Sequence, residues 1–149
     1  MRILEVFFDY ACPYCLKGHG YLAELLPLYP DIEVVWRPCE AHPRPERYGL
    51  HSDLCIQGMF YALDQGADIW EYHRRMYSVA VKERVNIEDQ DVLAGRVYGL
   101  LDPDEFRKAL LSGRFEKAVS DANNYAYDHS GVWVVPAYRI AGRKLHSLS

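Results

Sequence analysis

Apolar residues form short runs near the two ends of the chain and recur at helical spacing between them. Near the N-terminus, the run from Ile3 to Phe8 is typical of a short buried strand. Leu16 to Leu28 has the spacing of a helix, and Asp31 to Arg37 is rich in the β-branched residues that favour strands. This order predicts a βαβ unit with two parallel strands and a right-handed crossover.

From about Leu50 to Ser130 the pattern is helical, and capping and stop residues divide it into segments. The clearest start is Asp102-Pro103-Asp104-Glu105, with a capping aspartate, proline at the first helical position and glutamate three residues after the cap. The predicted helices span 52–65 before Gly66, a segment capped by Asp68, Asn86–Tyr98 before Gly99, a segment starting at Asp102, and Arg114–Asp128.

Two further stretches complete the pattern. Cys39 to Arg47 contains Pro43 and Pro45 and predicts an irregular loop. Val132 to Ile140 predicts a strand, and Ala141-Gly142 predicts a turn into a partner strand from Arg143 to Ser147. The chain therefore predicts a helical block between two β-rich ends.

Composition and charge restrict the function classes. The 149 residues suit one domain, and half of them are apolar, which argues against disorder. The net charge is −4 without a basic cluster, so we expect no nucleic-acid partner. No apolar run is long enough to span a bilayer, and Glu5 and Asp9 interrupt the first run, unlike a signal peptide. We therefore expect a cytoplasmic protein, in which persistent structural disulfides are rare.

The candidate chemistry lies in Cys12-Pro13-Tyr14-Cys15, at the predicted strand-to-helix junction. Cysteines at i and i+3 on a first helical turn are close enough to form a disulfide. Pro13 suits a helix start, where its missing N–H is not needed. The positive end of the helix dipole favours a thiolate at Cys12. This predicts a redox-active dithiol in which Cys12 attacks and Cys15 resolves the mixed disulfide.

Other uses of these cysteines remain open at this stage. They could be a buried and inert pair. They could also bind zinc together with His19 and with Cys39 or Cys55, although structural zinc sites usually combine two closely spaced pairs. Haem attachment is excluded because Leu16 stands where that motif needs histidine. We expect no metal and no cofactor other than the disulfide itself.

The order of elements together with three motifs resembles the DsbA-like branch of the thioredoxin superfamily. Phe8 to Cys15 resembles the F-x-D-x-x-C-P-x-C opening of its FrnE-like group, which is close to 2-hydroxychromene-2-carboxylate isomerases and kappa-class glutathione transferases. Trp36 to Pro43 resembles that group's W-R-P-F-x-L-x-P segment, and Gly131 to Tyr138 its G-V-x-G-V-P-T-F segment. The resemblance extends over essentially the whole chain.

The resemblance implies an α/β, thioredoxin-like fold with an inserted all-helical subdomain. The single domain, 1–149, would have a thioredoxin-like part at 1–45 and 131–149 and a helical insertion at 46–130. It also implies a cis peptide bond between Val135 and Pro136 opposite the cysteines, where the Val135 backbone would pair with substrate. Pro13 and Tyr14 would contact the substrate as well.

The sequence departs from the family pattern in several places. Val134 replaces a glycine, Ala137 a threonine and Cys39 a phenylalanine. The terminal helix expected after the hairpin is missing, which would leave one face of the sheet uncovered. We expect either that a homodimer covers this face or that the chain is an incomplete version of the protein.

Several side chains near the motif allow two interpretations. Cys39 is either a third redox thiol or, as we prefer, a small buried hydrophobic residue. Cys55 is expected in the core. Glu40 and His42 could serve as acid and base in an isomerase, but loop charges are usually solvated, and this second interpretation is the one we expect.

The sequence therefore predicts a thiol–disulfide oxidoreductase or isomerase that acts on protein or small-molecule disulfides. The alternative is a glutathione-dependent isomerase or transferase of the 2-hydroxychromene-2-carboxylate or kappa type, with glutathione as co-substrate. Those relatives as a rule use a single serine or cysteine at the helix start, so a complete CPYC argues against this alternative. A non-catalytic binding module that has kept the fold is a third interpretation.

Overall fold

A four-stranded mixed sheet forms the base of the molecule in the computed structural model, which describes residues 1–140 and the backbone of 143–145. The strands are β1 (Arg2–Phe8), β2 (Ile32–Pro38), β3 (Ala137–Ile140) and β4 (Arg143–Leu145), in the order β2-β1-β3-β4. β1 pairs parallel with β2 and antiparallel with β3. The predicted βαβ unit is thus confirmed, and the overall fold is the thioredoxin-like α/β fold.

Six α-helices accompany the sheet in the described part of the chain. α1 connects β1 to β2, and the other five all lie between β2 and β3 in the sequence. They are α1 (Pro13–Leu25), α2 (Asp53–Asp64), α3 (Ile69–Tyr77), α4 (Gln90–Ala94), α5 (Pro103–Ser112) and α6 (Glu116–Asn124). None of the helices described combines the length and the hydropathy that a bilayer-spanning segment needs.

Several helix starts are fixed by the predicted caps. The Asp102 side chain accepts hydrogen bonds from the backbone amides of Asp104 and Glu105 at the start of α5. The Asp68 side chain does the same for Trp70 and Glu71 at the start of α3. These carboxylates satisfy amides that lack partners within the helix, so local sequence defines both boundaries.

Two predicted segments are shorter in the structure. The helix predicted over Asn86–Tyr98 is reduced to α4, because the Asn86 side chain accepts from the Glu88 amide and closes a turn instead. The strand predicted from Val132 starts only at Ala137, after Pro136, which has no amide hydrogen to donate. The turn at 141–142 and the end of the partner strand, 146–147, lie outside the described residues.

The main core joins the sheet to the helices. Leu4, Val6 and Phe8 point to one face of β1 and are almost fully buried. They belong to a single cluster that also contains Met59 of α2 and Met76 of α3. Because this core is shared, the described helices and sheet pack as one unit; the division at residues 46 and 130 stays a prediction.

The opposite face of the sheet carries a charged network. Glu5 of β1 accepts hydrogen bonds from Arg37 of β2 at 2.8 Å and from Arg139 of β3 at 2.6 Å. The hydroxyl of Tyr125 donates to the same carboxylate at 2.6 Å, and its ring is stacked on Phe7. The described part of this face therefore carries a charged network at Glu5 next to the buried ring of Phe7.

Two expectations about this face stay open. The predicted lack of a closing helix concerns residues 146–149, which lie outside the described part of the chain. The homodimer through this face stays a prediction, and its interface would have to accommodate the Glu5 network.

We predict that Glu5→Gln destabilises the fold by about 2 kcal/mol at neutral pH, because it removes a partly buried charge from two arginines. Burial raises the pKa of Glu5, but the hydrogen bonds from Arg139, Tyr125 and Arg37 outweigh it and lower the pKa to about 2. The stabilisation is complete above the unfolded-state pKa and is lost as pH decreases towards about 2.

Urea unfolding of both proteins over a pH series measures this effect. The difference in unfolding free energy should be constant near neutral pH and should shrink in acid. Glu24→Gln on the exposed surface of α1 is the matched control and should change little. A constant difference at all pH values would contradict the prediction.

Candidate active site

The CPYC motif lies where β1 ends and α1 begins. Cys12 is the N-cap residue of α1 and has extended backbone angles, while Pro13 is the first helical residue. The Cys12 sulfur accepts a hydrogen bond from the backbone amide of Cys15 at 3.3 Å. The sulfur thus takes the position that a capping oxygen usually has, and it faces the positive end of the helix dipole.

This position lowers the pKa of the Cys12 thiol. A hydrogen bond from the Cys15 side chain is the largest cause, and the backbone amides of Cys15 and Tyr14 add to it. Partial burial of Cys12 has the opposite effect. The resulting pKa is about 7, so a large fraction of Cys12 is thiolate at neutral pH.

Cys15 has the opposite environment. It is only 2% exposed and lies in the main core, and burial raises the pKa of its thiol. The thiolate at Cys12 raises it further. One thiol is therefore accessible and acidic, whereas the other is buried and keeps its proton.

The structure brings the late Val-Pro segment to the cysteines. The Val135–Pro136 peptide bond is cis, as the resemblance implies, and Arg44–Pro45 is a second cis bond. The Cys12 sulfur lies 3.9 Å from the carbonyl oxygen of Val135. Cys12 and Val135 are 123 positions apart in the sequence and are thus in contact in the structure.

Gly18 allows this approach. A Cβ atom on Gly18 would lie 2.3 Å from the hydroxyl oxygen of Tyr138 and 3.8 Å from the Pro136 ring. Only a glycine lets α1 pack this closely against the first residues of β3.

An open cleft of about 530 Å³ lies directly beside Cys12. Of the four residues predicted to bind substrate, Pro13 and Val135 line this cleft, whereas Pro136 does not and Tyr14 is 73% exposed at the helix start. Their role in substrate binding stays a prediction. Trp133 and Val134 form part of its wall on the Val-Pro side. The cleft combines a nucleophilic sulfur, an apolar wall and exposed aromatic rings, which suits a polypeptide or an organic thiol.

Asp9 lies on the wall of this cleft and is completely buried. Its carboxylate accepts hydrogen bonds from the backbone amides of Ala11 at 3.0 Å and Ala41 at 2.7 Å. It thereby connects the loop before Cys12 to the loop after β2. Burial raises the pKa of Asp9, and the charge of Asp9 raises the pKa of Cys12.

Glu40 and His42 also line the cleft, but they differ in burial. Glu40 is only 6% exposed, so the expectation of a solvated loop charge is wrong for this residue. Its side chain accepts from the amide of Asn123, and the hydroxyl of Tyr127 donates to its backbone carbonyl. His42 is partly exposed and pairs with Glu46, as expected for a loop charge.

The two remaining cysteines are buried. Cys39 packs with Phe7, Ala126 and Val132, which agrees with a small hydrophobic residue, and burial raises its pKa to about 12. Cys55 is in the main core, as expected, and burial raises its pKa as well.

His19, named above as a possible zinc ligand, lies among aromatic rings. It packs on the Trp70 ring with centroids 4.9 Å apart, and burial lowers its pKa. Among the described residues, no three His, Cys, Asp or Glu side chains are grouped so that they could hold a metal ion. The zinc alternative therefore has no support from the described geometry.

Sequence reasoning missed three residues of the cleft. Asp9 was given no role in the site, although a carboxylate inside a buried run is itself a signal. Tyr127 and Trp133 gave no local signal, because their positions depend on contacts between distant segments.

Comparison with known proteins places the chain in a family. The DSBA-like thioredoxin domain matches residues 3–148. None of the curated proteins matches the sequence significantly.

Several solved structures share the fold at low sequence identity. BdbD from Bacillus subtilis, in its oxidised form, has a TM-score of 0.80 at 12% identity, with 98% of this chain and 79% of that chain covered. DsbA from Chlamydia trachomatis has a TM-score of 0.74 at 14% identity, with 97% and 78% covered.

DsbM from Pseudomonas aeruginosa, described as a cytosolic disulfide reductase, has a TM-score of 0.72 at 14% identity, with 95% of this chain and 87% of that chain covered. The family match spans nearly the whole sequence, and the fold agrees with it. The chain belongs to the DSBA-like thioredoxin domain family.

Proposed function

We propose that this protein catalyses thiol–disulfide exchange, including disulfide isomerisation, through Cys12 and Cys15. The observation that carries this proposal is the contrast between the two thiols: Cys12 is accessible with a pKa of about 7, and Cys15 is buried with a raised pKa. Membership of the DSBA-like family and the fold shared with proteins named DsbA and DsbM support it.

The exchange proceeds in two balanced steps. The Cys12 thiolate attacks one sulfur of a substrate disulfide, and the other substrate sulfur leaves as a thiolate that takes up a proton from water. Cys15 then loses its proton and attacks the Cys12 sulfur, which releases the second substrate thiol. Two electrons have moved from the protein to the substrate, and the reverse sequence oxidises a dithiol.

The surroundings of Cys12 favour a polypeptide substrate. The Val135 carbonyl points at the Cys12 sulfur, so an extended chain laid beside it would pair with this backbone. Pro13 and the exposed rings of Tyr14 and Trp133 provide apolar contacts on both sides.

A glutathione-dependent reaction is the weaker candidate. Glutathione carries two carboxylates, and the described lining of the cleft contains the acidic residues Asp9 and Glu40 but no lysine or arginine. This charge distribution disfavours tight binding of an anionic tripeptide. Glutathione nevertheless suits the role of a small thiol that reduces the Cys12–Cys15 disulfide.

We infer that the protein works in the cytoplasm in the direction of reduction or isomerisation. The cytosolic disulfide reductase DsbM shares the fold. A Cys12 pKa of about 7 stabilises the reduced dithiol only moderately, whereas strong oxidants of this superfamily have a far lower pKa.

Replacement of each cysteine tests the proposed steps. Cys12→Ser should reduce exchange with a disulfide peptide at least about a hundredfold, because the nucleophile is lost. Cys15→Ser should retain the attack and accumulate a mixed disulfide at Cys12, which mass spectrometry detects. Cys39→Ala is the matched control and should keep most of the activity. Exchange that survives in Cys12→Ser would refute the proposal, and glutathione-dependent turnover in that variant would favour the alternative.

The acidity of Cys12 gives a second test. The alkylation rate of reduced protein by iodoacetamide should increase with pH through a midpoint of about 7, because only the thiolate reacts. Cys15→Ala should shift this midpoint upward, since it removes the hydrogen bond with the largest effect. An unchanged midpoint in that variant would contradict this origin of the acidity.

The direction of electron flow is tested by equilibrium with glutathione or dithiothreitol buffers. We expect a Cys12–Cys15 potential closer to about −270 mV than to about −120 mV, since a thiol pKa near 7 stabilises the reduced form only weakly. Thiol mass spectrometry measures the oxidised fraction at each buffer ratio. A potential near about −120 mV would contradict the proposed direction and would indicate that the protein oxidises its substrates.

A further inference from the structure

A second cleft of about 410 Å³ lies next to the cleft that contains Cys12. Glu40 and Pro43 line both, so these two residues form the wall between them. The polar side chains on the second cleft belong to Glu40, Arg44, Asp53, Gln57, Glu116, Ser120 and Asn123. A polypeptide whose cysteine lies at Cys12 would therefore have this cleft beside it.

The loop after β2, helix α2 and helix α6 build the second cleft. Asp53 and Gln57 are one turn apart on α2, and this spacing places both side chains on the same side of the helix. Asn123 of α6 holds Glu40 from the opposite side: its side chain accepts from the Glu40 amide at 2.8 Å and donates to the Glu40 carboxylate at 2.9 Å. Asp53 and Gln57 are thus positioned by α2, and Glu40 is held by a side chain of α6.

Two acceptor atoms on the α2 side receive no hydrogen bond within the described structure. Gln57 is only 3% exposed, and its side-chain carbonyl oxygen has no hydrogen-bond partner among the described residues. The Oδ1 atom of Asp53 is also buried without a hydrogen bond in the described structure, and this atom forms an ion pair with Arg44 at 3.6 Å. A buried acceptor without a partner is costly, and its presence on a cleft indicates that a ligand donor completes it.

The charge of the cleft is negative. Glu40, Asp53 and Glu116 provide carboxylates, and Arg44 is the lining residue with a permanent positive charge. The Arg44 guanidinium is 3.6 Å from Asp53, too far for a hydrogen bond, and its closer partner is Glu88 at 3.2 Å. Burial raises the pKa of Glu40, the charges of Asp53 and Asp9 raise it further, and His51 opposes them.

These acceptors fit an organic cation better than a metal ion. No three of the described acidic, histidine or cysteine side chains are close enough together to coordinate a metal. A guanidinium or ammonium group brings several N–H donors of its own and can reach acceptors that are farther apart.

We propose that this cleft binds an arginine or lysine side chain of the polypeptide substrate, close to the cysteine that Cys12 attacks. This specificity rests on the proposed exchange activity. A basic side chain bound in this cleft would make the enzyme prefer disulfides or thiols that are flanked by basic residues.

Matched peptides test the specificity without changing the protein. One series carries arginine at each position flanking a single cysteine in turn, and a second series carries the neutral isostere citrulline at the same positions. The peptides are offered as mixed disulfides to measure kcat/KM for exchange. Versions with serine in place of cysteine measure binding by titration calorimetry, which is independent of redox chemistry.

We expect at least one position at which arginine improves both kcat/KM and binding about tenfold over citrulline, the effect of one charged hydrogen bond. Asp53→Asn and Gln57→Leu should each reduce this ratio towards one. Arg44→Gln should increase it, because a competing cation is removed. Asp64→Asn, at the exposed far end of α2, is the matched control and should leave the ratio unchanged.

The outcomes separate this inference from the proposed function. Equal binding of arginine and citrulline peptides at all positions overturns the basic-residue specificity, even if every peptide is exchanged. Arginine-dependent binding that is lost in Asp53→Asn supports the binding of a basic side chain in this cleft. This holds even if no peptide is exchanged and the proposed catalysis fails. A preference that is unchanged in Asp53→Asn and Gln57→Leu also overturns the inference, because the cation then binds elsewhere.

Discussion

The site depends on one contact, the hydrogen bond from the Cys15 amide to the Cys12 sulfur at the start of α1. It fixes the sulfur at the positive end of the helix dipole, where a thiolate is stabilised. The same helix turn carries Cys15 into the core. A single turn therefore produces one acidic, accessible thiol and one buried, protonated thiol, and this difference underlies the order of the two exchange steps that we propose.

Long-range contacts hold this turn in place. Gly18 lets Tyr138 approach α1, and the Val135 carbonyl reaches the Cys12 sulfur from the other end of the chain. The Asp9 carboxylate connects the loop before Cys12 to the loop after β2, because it accepts hydrogen bonds from the backbone amides of Ala11 and Ala41. These contacts bind three separate segments around the sulfur and give the cleft a fixed shape, which pre-organises it for substrate.

The same framework determines the electrostatics around the nucleophile. Partial burial and, to a smaller extent, the charge of Asp9 oppose the ionisation of Cys12, so the hydrogen bonds at the helix start lower its pKa only moderately. Glu40 extends the negative charge from the Cys12 cleft to the cleft between α2 and α6. One carboxylate thus links the chemistry of exchange with the recognition of a basic side chain that we propose.

The sequence by itself determined the features that depend on neighbours in the chain. The CPYC motif, the βαβ unit and the caps at Asp68 and Asp102 follow from local periodicity and from side chains that satisfy nearby amides. The tertiary structure decided the burial of Glu40, the packing of His19 on aromatic rings and the two clefts. These features depend on which distant segments meet, and a side chain's burial and pKa follow from that environment and not from its residue type.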